Sequence, residues 1–72
     1  MFAEGDMQIV LNGESVEAAV GSTVATLLKQ LGISRERVAV ELNTDIVPKA
    51  GYETQLIADG DKIEIVHFVG GG

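Results

Sequence analysis

Met7-Gln8-Ile9-Val10-Leu11-Asn12-Gly13-Glu14-Ser15-Val16-Glu17-Ala18 is the stretch that decides the fold. Met7–Leu11 reads as a strand, and Asn12-Gly13 is the strongest short hairpin signal, because both residues accept the positive φ that a tight turn needs. Glu14–Ala18 returns as the second strand. Immediately downstream, Gly21-Ser22-Thr23 opens a helix. Ser22 is the expected N-cap, its hydroxyl accepting from an orphan backbone N–H, with Thr23 as the alternative. Val24, Leu27, Leu28 and Leu31 follow the i, i+3, i+4, i+7 spacing, which sets one apolar stripe against a sheet. Lys29 suits the dipole of the last turn and Gly32 falls at the C′ position. The helix is expected over about Val24–Leu31.

Ser34-Arg35-Glu36-Arg37 is a polar connection of about one helical turn. Val38-Ala39-Val40-Glu41-Leu42 is a third strand with Val38, Val40 and Leu42 on one face. Asn43-Thr44-Asp45 turns into Ile46-Val47, a short fourth strand stopped by Pro48, which has no ladder donor. Lys49–Ala58 is irregular, and Tyr52, Leu56 and Ile57 are expected to tuck under the sheet. Asp59-Gly60-Asp61 turns into the final strand, Lys62-Ile63-Glu64-Ile65-Val66-His67-Phe68-Val69. The element order points to an α+β chain of β-grasp (ubiquitin-like) type, with a mixed sheet of four to five strands and one main helix across one face. The sheet order, with the last strand between the first and the third, comes from fold analogy. Met1–Asp6 reads as a flexible extension, residues 7–69 as the β-grasp domain and Gly70-Gly71-Gly72 as a flexible tail.

Composition narrows the function. Seventy-two residues make one small domain, of a size that buries only about 60% of the surface its unfolded chain exposes. The only aromatics are Phe2, Tyr52 and Phe68, so the core must be aliphatic. No apolar run reaches the roughly 18 residues of a membrane span, and the first residues lack the pattern of a signal peptide; the expected compartment is the cytoplasm, with no membrane partner. Cysteine is absent and His67 is the single histidine, which removes disulfides, thiolate sites and histidine clusters. The formal charge is −6, from eleven acidic against five basic residues. Nucleic acid is not an expected partner, because affinity there depends on basic side chains neutralising phosphates. An acidic surface suits steered docking on a basic protein, although solubility alone also accounts for it.

The three terminal glycines are the feature that folding explains least. Without Cβ atoms they add conformational entropy and no packing. They also fit a narrow channel and leave the terminal carbonyl open to attack. Behind an ordered strand, they make a reactive carboxylate on a rigid body. No acid/base pair, activated nucleophile or phosphate loop can be assembled from the remaining side chains, so the chain reads as substrate rather than enzyme. Alternation places Val66 and Phe68 opposite Ile63 and Ile65. They read as an apolar docking patch, the competing reading being that a bulge or the N-terminal extension covers them. His67 reads as structural or tail-positioning, and Asp59 with Asp61 as turn chemistry rather than a cation site.

Several separated motifs agree in order with one family. They are Leu11-Asn12-Gly13, Gly21-Ser22-Thr23-Val24, the run from Glu41 through Pro48 to Lys49, Asp59-Gly60-Asp61-Lys62 and the end from Ile63 to Gly72. Over Met7–Gly72 the chain resembles the ThiS family of sulfur carriers in thiamine biosynthesis. The resemblance implies that a ThiF-type adenylyltransferase activates the Gly72 carboxylate with ATP and magnesium. Sulfur from a sulfurtransferase or cysteine desulfurase system then yields a thiocarboxylate that serves thiazole synthase, ThiG. It implies no bound cofactor, no metal site, and a monomer when free. The small subunit of molybdopterin synthase and ubiquitin-like protein modifiers share the expected fold and adenylating step, so they remain alternatives; a purely structural module leaves the glycines unexplained.

Overall fold

The computed structural model describes Asp6–Phe68. Met1–Gly5 and Val69 with Gly70, Gly71 and Gly72 lie outside the described residues, and with them most of the expected extension and all of the expected tail. The elements are β1 (Asp6–Leu11), β2 (Glu14–Ala19), α1 (Val24–Leu31), a 3-10 turn at Arg35–Arg37, β3 (Val38–Leu42), β4 (Asp45–Val47), a second 3-10 turn at Lys49–Gly51, and β5 (Lys62–His67). Strand β1 begins at Asp6, which pairs with Ala19, one residue before its expected start.

The hairpin forms as its sequence dictates. Asn12 (φ 49°) and Gly13 (φ 86°) both occupy the left-handed region, which matches the turn to the twist of β1 and β2. The five strands lie in the order β2-β1-β5-β3-β4. β5 runs parallel to β1 and antiparallel to β3. The last strand is therefore central, and with α1 across one face the architecture is the β-grasp.

The helix matches its expected span, but its cap does not fall at Ser22. Thr23 is the N-cap: its Oγ1 accepts from Thr26 N–H at 3.2 Å, and its own N–H donates to Thr26 Oγ1 at 2.8 Å. Ser22 is buried and its hydroxyl turns back to donate to the Ala19 carbonyl at 2.7 Å, which removes it from the cap. At the other end Gly32 takes φ 73°, and the Gly32 and Ile33 N–H groups bond the Lys29 and Leu28 carbonyls. That pattern satisfies the last turn with a residue to which φ > 0 costs little.

The core lies between helix and sheet. Val24, Leu27 and Leu28 from α1 meet Met7, Ile9, Ala18, Val38, Val40, Ile63 and Ile65 from the sheet, with Val47, Tyr52 and Ile57 closing the rim. Leu31 is at the end of the stripe and is 39% exposed. The irregular segment is stitched to the start of the helix: Val24 N–H donates to the Gln55 carbonyl, Ala25 N–H to the Tyr52 carbonyl, and Ile57 N–H to the Ser22 carbonyl. Leu56 departs from expectation. It forms a bridge with Thr23, and since neighbouring residues in extended chain point to opposite sides, burying Ile57 turns Leu56 outward, where it is 60% exposed. Among the described residues, no helix is long and apolar enough to cross a membrane.

Candidate functional site

Everything of interest on this surface is organised by β5. Its start is gripped by the turn after β3: Asn43 N–H donates to the Lys62 carbonyl at 2.7 Å, and Lys62 N–H donates to Asn43 Oδ1 at 2.9 Å. The approach to it is fastened to β1. Gln8 N–H donates to Asp59 Oδ1 at 2.8 Å, Gly60 N–H to the Gln8 carbonyl at 2.7 Å, and Val10 N–H to the Asp61 carbonyl at 2.9 Å. Asp61 accepts from Ala58 N–H and from Asn43 Nδ2. Both carboxylates of the Asp59-Gly60-Asp61 turn are thus engaged in holding the strand.

At the far end, the β3 ladder continues past the strand's last residue, with Phe68 N–H donating to the Arg37 carbonyl at 2.9 Å. Ile63 and Ile65 point into the core, whereas Val66 (55% exposed) and Phe68 (59% exposed) face outward. No bulge interrupts the alternation from Lys62 to His67. His67 lies opposite Val38, and its side chain is exposed. The glycines that carry the expected chemistry, Gly70, Gly71 and Gly72, fall outside the described residues, so the structure places their strand but not them.

Register reveals a residue that alternation from the last strand alone did not identify. Glu41 lies opposite both Glu64 on β5 and Ile46 on β4, while Ala39 lies opposite Val66. Ile46 is therefore on the same face as Val66 and Phe68, and it is 72% exposed. Its sequence signal is that Val47 must face the core, which turns Ile46 outward. Over β5, β3 and β4 the open face thus carries Ile46, Ala39, Val66 and Phe68 with the carboxylates of Glu41 and Glu64 among them. Over β1 and β2 it carries Val10 and Ala19 beside a polar cluster, in which Ser15 Oγ donates to Gln8 Oε1 at 2.7 Å and Gln8 Nε2 to Glu17 Oε2 at 3.4 Å. One half of the face is apolar with acidic side chains among it, and in the other the polar groups of Gln8, Ser15 and Glu17 bond one another.

Phe68 is held from below. Lys49 Nζ sits 5.2 Å from the ring centroid and donates to the Val38 carbonyl at 3.0 Å. Arg35 in turn donates to the Lys49 carbonyl at 2.8 Å, lies 5.3 Å from the Tyr52 ring centroid and pairs with Glu53 at 3.0 Å. An exposed cation–π contact contributes only about 0.5–1 kcal/mol, enough to favour one orientation of the ring. Among the described residues there is no group of three or more His, Cys, Asp or Glu side chains placed to hold a metal ion.

A chain with a central final strand and an apolar patch beside its end has close relatives. The ThiS family model matches residues 9–72. The chain is 48% identical over 66 residues to a thiazole synthase of Paramagnetospirillum magneticum, covering 92% of this chain but 20% of that protein. It is 35% identical to the sulfur carrier protein ThiS of Escherichia coli over 92% of this chain and 100% of the relative. The crystal structure of the thiamine biosynthesis protein ThiS from Geobacter metallireducens superposes with a TM-score of 0.78 at 33% identity, covering 92% of this chain and all of that one. The chain spans about a fifth of the length of the thiazole synthases it matches and essentially the whole length of the small carriers. It belongs to the ThiS family.

Proposed function

We propose that the chain is a sulfur carrier of thiamine biosynthesis that acts through the carboxylate of Gly72. The observation that supports this most strongly is the family match, which runs through β5 and on to Gly72. In this reading a ThiF-type adenylyltransferase binds the domain and presents ATP with magnesium. The Gly72 carboxylate attacks the α-phosphorus, expels pyrophosphate and becomes an acyl-adenylate. A persulfide from a sulfurtransferase or cysteine desulfurase then attacks the activated carbonyl and AMP leaves. A thiol takes up the donor's sulfur as a disulfide, which releases the thiocarboxylate. The thiocarboxylate passes its sulfur to thiazole synthase, ThiG, the class of protein with which this chain shares 48% identity over 66 residues. In this reading the steps take place in the cytoplasm, where ATP is available.

The chain's own contribution is physical rather than catalytic. Adenylation is required because a carboxylate is a poor electrophile, and glycines carry no Cβ to obstruct entry into successive active sites. Val66, Phe68 and Ile46 form the docking face, with Glu41 and Glu64 as its acidic border. The net charge of −6 steers the domain toward a basic surface on the adenylyltransferase. Incubation with that enzyme, ATP, magnesium and a sulfur source is expected to replace one C-terminal oxygen by sulfur in the intact mass. An unchanged mass under conditions that convert an authentic carrier contradicts the proposal, and conjugates to target lysines would instead indicate a protein modifier.

A further inference from the structure

β1 is too short for β5. The parallel ladder between them ends at Leu11 opposite Ile63, and Asn12 N–H makes the last backbone bond, to the Ile63 carbonyl at 2.9 Å. There the chain turns away into the hairpin, while β5 runs on to His67. Phe68 N–H bonds across to Arg37, so in the β3 ladder the hydrogen-bonded partners of β3 are Glu64, Val66 and Phe68. The N–H and C=O of Ile65 consequently point the other way, toward the side that β1 has left.

The side chain of Asn12 occupies that position. Ile65 N–H donates to Asn12 Oδ1 at 2.7 Å, and Asn12 Nδ2 donates to the Ile65 carbonyl at 3.3 Å, across 53 residues of sequence. A carboxamide is the side-chain equivalent of a peptide group, with one acceptor and a donor in the same plane. It therefore supplies both bonds that a continuation of β1 would have made to Ile65. The turn does not require this, since glycine satisfies a left-handed φ equally well.

We propose that Asn12 is a positioning residue for the C-terminal segment. By closing the open side of β5 at Ile65, it fixes the direction in which the chain leaves the sheet through His67 and Phe68. The glycines beyond are thereby presented to an activating site from a constant root. Without the carboxamide, the end of β5 is held only from the β3 side. The geometric part of this role stands by itself; its effect on adenylation rests on the sulfur-carrier reading.

Two full-length variants separate clamp from turn. Asn12→Gly keeps the left-handed backbone and removes the carboxamide. Asn12→Asp keeps an acceptor for Ile65 N–H but sets an oxygen against the Ile65 carbonyl. Loss of the clamp is expected to speed amide exchange at Ile65 by about tenfold relative to Leu27 and Leu28 in Asn12→Gly. At a temperature where the variants remain folded, kcat/KM for adenylation by the partner is expected to fall by about tenfold, since small misplacements of a reacting group are costly. Asn12→Asp should lie between parent and Asn12→Gly in both readouts. Unchanged exchange at Ile65 overturns the proposal, as does a uniform rise across Leu27, Leu28 and Ile65, which marks general destabilisation. Faster exchange at Ile65 with unaltered adenylation also overturns it, and so does lost adenylation with Ile65 unaltered, which makes Asn12 a direct contact of the partner. If the parent chain itself is not adenylated, the sulfur-carrier reading fails while the exchange comparison still decides the clamp.

Discussion

Thr44 carries the clearest local strain among the described residues. It follows Asn43 (φ 51°) in the two-residue turn from β3 to β4 and sits at φ 76°, a region that a β-branched side chain enters only at a cost of order 1–3 kcal/mol. Asparagine tolerates the first position, and its side chain is used there to hold Lys62. Thr44→Gly relieves the strain and concedes some unfolded-state entropy, for an expected net gain of about 1 kcal/mol. In thermal unfolding that corresponds to about 5 °C for a domain of this size; a lower melting temperature would contradict the reading. Phe68 makes the opposite case. Its ring is 59% exposed and touches Lys49, so Phe68→Ala should change unfolding free energy by no more than about 1 kcal/mol. Its affinity for the adenylyltransferase, measured by calorimetry, is expected to fall about tenfold. Matched losses of stability and binding would return Phe68 to a packing role.

At the scale of elements, α1 depends on a cap that the sequence marked only as an alternative. Thr23→Ala removes the oxygen that accepts from Thr26 N–H and is expected to cost about 1 kcal/mol in chemical denaturation. An unaffected midpoint would show that the Gln55 and Tyr52 carbonyls, which already engage Val24 and Ala25 N–H, suffice for the helix start. Ser22 and Thr23 are equally good caps by residue type, and the choice is made by the Ala19 carbonyl claiming the Ser22 hydroxyl. The hairpin, the helix span and β3 were legible because each is written in local periodicity and turn chemistry. The segment from Lys49 to Ala58 was not, because its conformation answers to the helix N-terminus and to Arg35, partners distant in sequence. Hence the expectation that Tyr52 and Ile57 lie in the core holds, while Leu56, also apolar, faces outward. The exposed apolar face was half legible: alternation along β5 identified Val66 and Phe68 as outward-facing, but Ile46 required the register across β3.

The described residues, Asp6–Phe68, fold around the final strand, β5. Sheet order places β5 between β1 and β3: β3 flanks it along its length, while on the other side β1 reaches Ile63 and the Asn12 side chain takes over at Ile65. One side of the sheet is spent on the core. The other divides into a more polar half over β1 and β2 and an apolar half beside the end of β5, so in the proposed function the docking face and the route to Gly72 share one strand. In the proposed function, sulfur travels on the carboxyl group of Gly72. The most direct test is intact mass and C-terminal fragment analysis of the protein recovered from cells starved of thiamine. A fraction ending in a thiocarboxylate on Gly72 is the predicted result. Recovery solely of species in which Gly72 is internal to a longer chain, or carries an unmodified carboxylate throughout, would contradict it.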